Sequence, residues 1–171
     1  AYQHLATTIS GVYVNGSASR HFTNGIEFTD GVYTTIGDNI NYVTNCEENG
    51  LYFYNLAGGV SIGTSTLISR IGISYCKHAV TVDSSAYNHL NFSDFTIERI
   101  DSAVFVFGKS ANVSLDNIDG EFAPLDTTSA YFKIAIGAGT SSFGDKANIN
   151  ISNSVFAGSL NRLFIDADKC N

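Results

Sequence analysis

The sequence is poor in several residue types, and each shortage excludes a class of structure or partner. It has no tryptophan, no methionine, one proline, three cysteines, and only nine lysines and arginines against sixteen aspartates and glutamates. The formal net charge of −7 argues against nucleic-acid and anionic-membrane partners, because both repel an acidic surface. No apolar run approaches the roughly 18 residues of a transmembrane helix, so we expect no membrane insertion.

The absence of methionine also bears on where the chain comes from. No initiator residue is present, and the first ten residues lack the basic start and apolar stretch of a signal peptide. We therefore interpret the chain as a piece of a longer protein. Its 171 residues, 44% hydrophobic and 15% charged, suffice for one folded domain and differ from disordered composition.

The cysteines and histidines form no recognisable framework. Cys46, Cys76 and Cys170 are an odd number at wide spacings, which fits neither a disulfide scaffold nor a metal site. We expect all three thiols to be free, with Cys46 and Cys76 as small inward-facing residues of a repeated unit. The four histidines lack the spacing of metal ligands, so we expect no metal and no cofactor.

An internal repeat is the main positive signal. Residues 68–82 align with residues 92–106 at an offset of 24 without a gap, and apolar residues fall at the same places. Further copies begin at Leu115 and Ile151, and the segments 25–28 and 50–53 are similar to each other at an offset of 25. This spacing predicts roughly six coils of about 22 to 30 residues.

Within each copy, apolar and polar residues alternate with the period of a β-strand, and no window has the spacing of an amphipathic helix. The gapless register predicts that equivalent residues stack on one another in successive coils. The expected stacked pairs are Ile73 on Ile97, Ala79 on Ala103, and Val82 on Val106. By the same alternation, Val104 and Val106 should point inward, and Phe105 and Phe107 outward.

These patterns predict an all-β, single-domain parallel β-helix of about six coils. An antiparallel sandwich would also have short alternating strands, but its hairpins would not require a constant side-chain order every 23 to 25 residues. We expect a lead-in or capping segment at residues 1–23 and coils at residues 24–168.

The units Leu90–Ile97, Val113–Ile118 and Ile149–Phe156 resemble coils of the right-handed, pectin-lyase-like β-helices. In their serine, asparagine and tyrosine content they are most similar to bacteriophage tailspikes and tail fibres. The resemblance implies a homotrimer on the virion tail, outside the cell, that recognises and often cleaves a bacterial surface polysaccharide. The Gly-His-Gly, Asp-Asp and Arg-Ile-Lys motifs of polygalacturonases are missing, which weakens that activity.

Two glutamates are the candidates for glycoside hydrolysis, which needs a pair of carboxylates. Glu98 and Glu121 are 23 residues apart and so occupy the same outward position in adjacent coils, with Asp119 as a further carboxylate beside them. At about 5 Å, their mutual repulsion would raise one pKa and leave an acid beside a base. The alternative is an ordinary solvated face of an acidic protein.

Tyrosines are the candidates for sugar binding, since they combine an apolar ring with a polar hydroxyl. Tyr52 and Tyr54 flank an inward phenylalanine and should both point outward, with Tyr75 in a neighbouring coil. Arg70 and Asp94 occupy one site in successive coils and could either bind substrate or neutralise each other. Alternatively, the outward aromatic residues, including Phe105 and Phe107, pack against another subunit.

Three functions therefore stay open at the level of sequence. The first is a trimeric receptor-binding module for a surface glycan, and the second is an endoglycosidase of the same fold. The third is a structural solenoid stalk without ligand. Turnover of the polysaccharide would separate the first two.

Overall fold

The computed structural model describes residues 7–17, 21–29, 33–36, 41–54, 65–83, 89–107, 111–121, 123–125, 128–135, 147–157 and 165–168. These ranges contain strands and turns but no helix, and so no helix that is long and apolar enough to cross a membrane. In chain order the strands are β1 (Thr7–Ile9), β2 (Tyr13–Asn15), β3 (Phe22–Thr29), β4 (Tyr33–Ile36), β5 (Asn41–Tyr54), β6 (Ser65–Asp83), β7 (His89–Glu98), β8 (Phe105–Phe107), β9 (Ala111–Glu121), β10 (Phe132–Ala135), β11 (Ala147–Ser152), β12 (Val155–Phe156) and β13 (Ile165–Asp168).

All of the strand pairings are parallel, and they join residues 23 to 36 positions apart. A parallel neighbour at such a distance requires the chain to wind once around and return alongside itself. The fold is therefore a parallel β-solenoid, which confirms the all-β prediction. In its central part, residues 65–83, 89–107 and 111–135 are three consecutive turns that each supply a strand segment to all three faces.

The three faces follow one another around each turn. The first face holds β1, β4, β11 and the start of β6, β7 and β9. The second face holds β2, β12, residues 41–44 of β5, and residues 71–74, 95–98 and 118–121 of β6, β7 and β9. The third face holds β3, β8, β10, β13 and the ends of β5 and β6.

Columns of inward side chains form the core between the faces. Ile73 lies against Ile97, as the repeat predicts, and both are buried. Stacked phenylalanines line the third face from the inside: the rings of Phe28 and Phe53 are 4.4 Å apart. Burial of these columns is the main stabilising term of a solenoid, because each turn covers only its neighbours.

The prediction that Phe105 and Phe107 point outward is wrong. Both side chains are fully buried, and Val106 between them is the outward residue. Phe105 pairs with Val80 and Phe107 with Val82, an offset of 25 instead of 24, so Val82 does not stack on Val106. Because strand side chains alternate, a slip of one residue moves every one of them to the opposite side.

The extra residue lies between Ser102 and Phe105. The Ser102 amide donates to the Lys77 carbonyl. In a parallel ladder an amide bonds to the residue before its partner, so Ser102 is level with His78 and the 24-residue offset still holds there. Beyond it, the Val104 carbonyl accepts from the amides of both Ala79 and Val80. Ala103 and Val104 thus form a bulge, so the predicted stacking of Ala79 on Ala103 also fails at this corner.

The corners of the solenoid use left-handed backbone. Arg70, Asp94 and Asn117 have φ of 55°, 56° and 54°, and occupy one corner, between the first and second faces. Tyr75 and Arg99, both at 52°, occupy the corner between the second and third faces. Asparagine and aspartate tolerate this conformation better than arginine and tyrosine do, because their short side chains bond locally to the backbone.

Cys46 and Cys76 are stacked partners in adjacent turns, and both are buried free thiols, as predicted. A hydrogen bond with Cys46 and burial both raise the pKa of the Cys76 thiol above its ordinary value. These two residues therefore serve the core. Cys170 lies outside the described residues.

Candidate functional site

The predicted catalytic carboxylates lie together on the outside of the second face. Glu98 and Glu121 are direct partners in adjacent turns, and Asp119 is the partner of Thr96 beside them. Glu121 and Asp119 are exposed, and Glu98 is half-buried. The repeat thus predicted the relative position of these residues, while a catalytic role for them stays a prediction.

Arg70 and Asp94 lie at the corner between the first and second faces. The Asp94 carboxylate accepts a hydrogen bond of 2.7 Å from the Asn117 side-chain amide, its neighbour one turn further on. In the described part of the chain, the only ion pair joins Lys77 to Glu48, so Asp94 is held by an amide and not by Arg70.

Tyr75 occupies the opposite corner, between the second and third faces, and it is 48% exposed. The Arg99 guanidinium lies over its ring, 5.2 Å from the ring centre, and donates a hydrogen bond to its hydroxyl. This cation–π contact orders the tyrosine and covers one of its ring faces.

Tyr52 and Tyr54 point outward on the third face, as predicted, and form a stacked pair with ring centres 5.0 Å apart. Burial and the carboxylates of Asp83 and Glu27 raise the pKa of Tyr52 above its ordinary value, so its hydroxyl keeps its proton at neutral pH. The stack fixes both rings before any ligand arrives, which lowers the entropy cost of binding.

Polar side chains support the turn below this tyrosine pair. The Asn49 amide donates to the Asn24 side-chain oxygen at 2.7 Å, and the Asn24 amide donates to Glu27 at 2.6 Å. The Thr81 hydroxyl donates to the Asn49 oxygen at 2.5 Å, which connects this network to the next turn.

The predicted residues therefore fall into two groups and do not form a single site. The carboxylates lie on the second face with Arg70, Asp94 and Tyr75 at its two borders, and the Tyr52–Tyr54 pair lies on the third face. The outward residues of the third face form one row across successive turns, here called the third-face column: Glu27, Tyr52, Thr81, Val106 and Lys133.

Beside Val106 and Lys133 of the third-face column lies a cavity that the repeat does not predict. Its volume is about 580 Å³, within the range of small-ligand sites. The strand partner of Lys133 beyond the column is Asp166. Val106 and Lys133 belong to both the column and the cavity lining, and the lining also includes Lys77, His78 and Ser102. A hydrogen bond of 3.0 Å joins the hydroxyls of Ser102 and Ser129, which both belong to the lining.

The bulge at Ala103 and Val104 shapes this cavity. The Ala103 carbonyl accepts a hydrogen bond of 2.7 Å from Nδ1 of His78. A carbonyl oxygen can only accept, so Nδ1 carries the proton and Nε2 is the acceptor atom of the neutral ring. Burial, with smaller contributions from Lys77 and Lys133, lowers the pKa of His78 below 6.5.

The cavity is cationic in a protein that is otherwise acidic. Two of the nine lysines and arginines of the chain line it, and the lining residues that the structure describes include no carboxylate. The Lys77 ammonium donates to both oxygens of Glu48, at 3.1 and 2.8 Å, but Lys133 forms no ion pair within the described ranges.

The described residues contain no group of three or more histidine, cysteine, aspartate or glutamate side chains able to hold an ion.

Comparison of the chain with protein-family models, with curated proteins and with solved structures found no match.

Proposed function

We propose that this chain is a domain of the phage tailspike or tail-fibre type, which works on the virion tail outside the cell and binds a bacterial surface polysaccharide. The observation that carries the proposal is the third-face column, where the stacked Tyr52–Tyr54 pair and the Lys133 cavity lie on one continuous ladder. Ladder steps of about 4.8 Å put Tyr52 roughly 10 Å from Val106 at the cavity. An extended polymer can contact both places at once.

Binding by this surface follows from ordinary sugar chemistry. Sugar rings have apolar faces that pack on tyrosine and hydroxyls that bond to polar neighbours, and Tyr52, Thr81 and the cavity offer both kinds of contact. The column is built on paired parallel strands and not on loops, so the contacts are fixed relative to one another.

We also infer about six coils in a right-handed, pectin-lyase-like winding. Following strand partners along the second face gives Tyr13, Tyr42, Gly72, Thr96, Asp119 and Val155, one from each inferred coil. Right-handed winding is the hand of nearly all connections between parallel strands of one sheet.

We infer a homotrimer as the working form. Large apolar side chains stay exposed on the single chain: Phe22 is 52% exposed and Leu67 43%. Side-by-side packing of three solenoids would cover such residues, and a closed ring avoids the fibres that open contacts produce. Phe105 and Phe107 give no support to this inference, because both are buried.

The test of glycan binding is retention on immobilised capsular and lipopolysaccharide O-chain preparations from a panel of bacteria. Tyr52→Ala and Tyr54→Ala should each weaken retention by about tenfold or more, the loss expected when an aromatic contact of about 1.4 kcal/mol is removed. Tyr13→Ala is the matched control, because Tyr13 is an exposed tyrosine on the second face, and it should bind like the unmodified chain.

Equal retention of all variants would remove the third face from the binding surface. Retention on no polysaccharide at all would favour the third function, a structural stalk.

An endoglycosidase is the second candidate, and the pairing of Glu98 with Glu121 favours it. One carboxylate would protonate the leaving oxygen while the other acts as nucleophile or base. In that case, incubation with the bound polysaccharide shortens its chains, and Glu98→Gln or Glu121→Gln abolishes the shortening. The melting temperature should change little, because substitutions at surface positions usually cost about 0.5 kcal/mol or less.

A further inference from the structure

We propose that the cavity at the end of the third-face column binds the negatively charged group of an acidic sugar. This proposal rests on the function proposed above and specifies the class of polysaccharide: one whose repeating unit carries a carboxylate or a phosphate. The inference begins from the described part of the cavity lining, which combines two ammonium groups, a histidine and serine hydroxyls and includes no carboxylate.

Charge is the first step. With a net charge of −7, the molecule as a whole repels an anionic polymer, so binding one requires a local concentration of positive charge. Lys77 and Lys133 supply it from two turns that are separated by the turn of residues 89–107. Glu48 is bonded to Lys77, and Asp166 is the strand partner of Lys133 in the following strand. Lys133 is exposed and forms no ion pair with the side chains that the structure describes, so its ammonium group can bond to a ligand anion.

The second step is the fixed orientation of His78. Its Nδ1 is held by the Ala103 carbonyl, so its ring cannot turn freely, and Nε2 of the neutral ring accepts a hydrogen bond. An acidic sugar carries hydroxyl groups next to its charged group, and such a hydroxyl can donate to Nε2 while the anion bonds to Lys133. The cavity thus distinguishes an acidic sugar from a simple anion such as chloride or sulfate, which has no hydroxyl group.

The third step is continuity with the tyrosine pair. Val106 and Lys133 are consecutive members of the third-face column, so a ligand in the cavity is in line with Thr81 and Tyr52. A polymer can then place one unit on the tyrosines and a charged group of another unit in the cavity. Alternating neutral and acidic sugars would match this arrangement.

The experiment is a titration of the ¹⁵N-labelled full chain, followed by amide chemical shifts. The probes are glucuronate, glucose 6-phosphate and glucose, each at the same ionic strength. Amides of residues 77–79, 102–106 and 128–133 should shift with the two charged sugars and not with glucose. Whichever charged sugar has the smaller dissociation constant identifies the carboxylate or the phosphate as the preferred group.

Variants tie the effect to the cavity. Lys133→Gln should weaken binding of the preferred charged sugar about tenfold, and Lys133→Arg should keep most of it, because the charge stays in place. Arg99→Gln is the matched control: it removes the same charge from an exposed residue that does not line the cavity, and its affinity should be unchanged. An equal loss in Lys133→Gln and Arg99→Gln would mean a general charge effect and would overturn the proposal.

The outcomes separate this inference from the proposed function. Equal shifts with glucose, or no shift in the cavity, overturn the anionic site, even where Tyr52→Ala still weakens polysaccharide retention. Specific shifts with the charged sugars support the site, even where no polysaccharide in the panel is retained.

Discussion

His78 is the residue that links the backbone irregularity of the solenoid to its cavity. The bulge leaves the Ala103 carbonyl pointing at a side chain, and the His78 ring supplies the hydrogen bond at 2.7 Å. An unpaired carbonyl in this position would cost about 1–3 kcal/mol, so the histidine stabilises the bulge as well as shaping the cavity.

The lowered pKa of His78 predicts how stability depends on pH. The charged groups around the ring are Lys77, Lys133 and Glu48, and burial adds to the two lysines in disfavouring the cation. The unfolded chain therefore binds a proton more readily than the folded one. This contribution to stability is complete above the unfolded pKa of about 6.5 and decreases as the pH falls toward the lower folded pKa.

Urea unfolding at pH 7.5, 6.5 and 5.5 measures this effect. The free energy of unfolding of the unmodified chain should decrease as the pH is lowered from 7.5 to 5.5. The decrease should be smaller in His78→Asn, because the asparagine amide can still donate to the Ala103 carbonyl but does not titrate. His78→Gln serves as a second variant. Slopes that are as steep in both variants as in the unmodified chain would show that another group causes the dependence.

On the second face, Tyr42 covers small residues of the neighbouring turn. Tyr42 lies over Gly72, where an added Cβ would come within 2.5 Å of the tyrosine ring, and its hydroxyl is 2.9 Å from the Ser74 hydroxyl. Ser74 is consequently buried although it points outward, as the alternation predicts. Tyr42 therefore packs on the sheet and shields Gly72 and Ser74 from solvent.

Among the strands, β8 determines which side chains of its turn point outward on the third face. The strand is only three residues long, and its outward member, Val106, connects Thr81 to Lys133. Without the bulge before it, Phe105 and Phe107 would point to solvent and Val106 into the core. The bulge thus places large aromatic side chains inside and leaves a smaller one at the rim of the cavity.

Two neighbouring substitutions test this assignment. Phe105→Ala should lower the free energy of unfolding by about 3–5 kcal/mol, because it empties a buried aromatic position, and Val106→Ala should cost about 1 kcal/mol. Phe105→Leu provides a milder variant if Phe105→Ala does not fold. Chemical denaturation gives the values, and a larger loss for Val106→Ala than for Phe105→Ala would restore the 24-residue register that the repeat predicted.

The sequence predicts the stacking of β6 on β7 well and that of β6 on β8 poorly, for one physical reason. Between Ile71 and Ile97 the alternation of apolar and polar residues leaves a single acceptable register, so Ile73 on Ile97 could be predicted from spacing alone. Residues 103–107 are all apolar, and both registers bury hydrophobic side chains. Only packing of the phenylalanines against neighbouring turns decides between them.

The cavity could not be predicted for a related reason. Its lining comes from three separate stretches, 77–78, 102–106 and 128–133, and the bulge brings them into their final positions. By contrast, the Glu98–Glu121 pair follows directly from the 23-residue offset, since no irregularity intervenes. Periodicity therefore finds residues stacked within regular ladders and misses sites that an irregularity creates.

On the scale of the whole molecule, the solenoid exposes apolar side chains at its ends. Tyr13 is 67% exposed at one end of the second face and Val155 is 62% exposed at the other. Ile165, the partner of Phe132, is 51% exposed in the last described strand of the third face. Uncovered ends of this kind invite further association.

The inferred trimer predicts the mass in solution. Light scattering at micromolar concentration should give three times the chain mass of 18.3 kDa, and the value should be independent of salt if apolar contacts dominate. Leu67→Lys, which places a charge on the outer side of the first face, should shift the mass toward that of one chain. A stable monomer that still binds polysaccharide would refute the trimer and leave the binding surface intact.

The most direct test of the account is a crystal structure of the chain soaked with an acidic oligosaccharide, obtained by partial hydrolysis of a polysaccharide that it retains. The proposed binding mode places the oligosaccharide along the third-face column, with one ring against Tyr52 and Tyr54 and a negatively charged group beside Lys133 and His78. An oligosaccharide bound instead across Glu98 and Glu121 on the second face, with the third face empty, would contradict it.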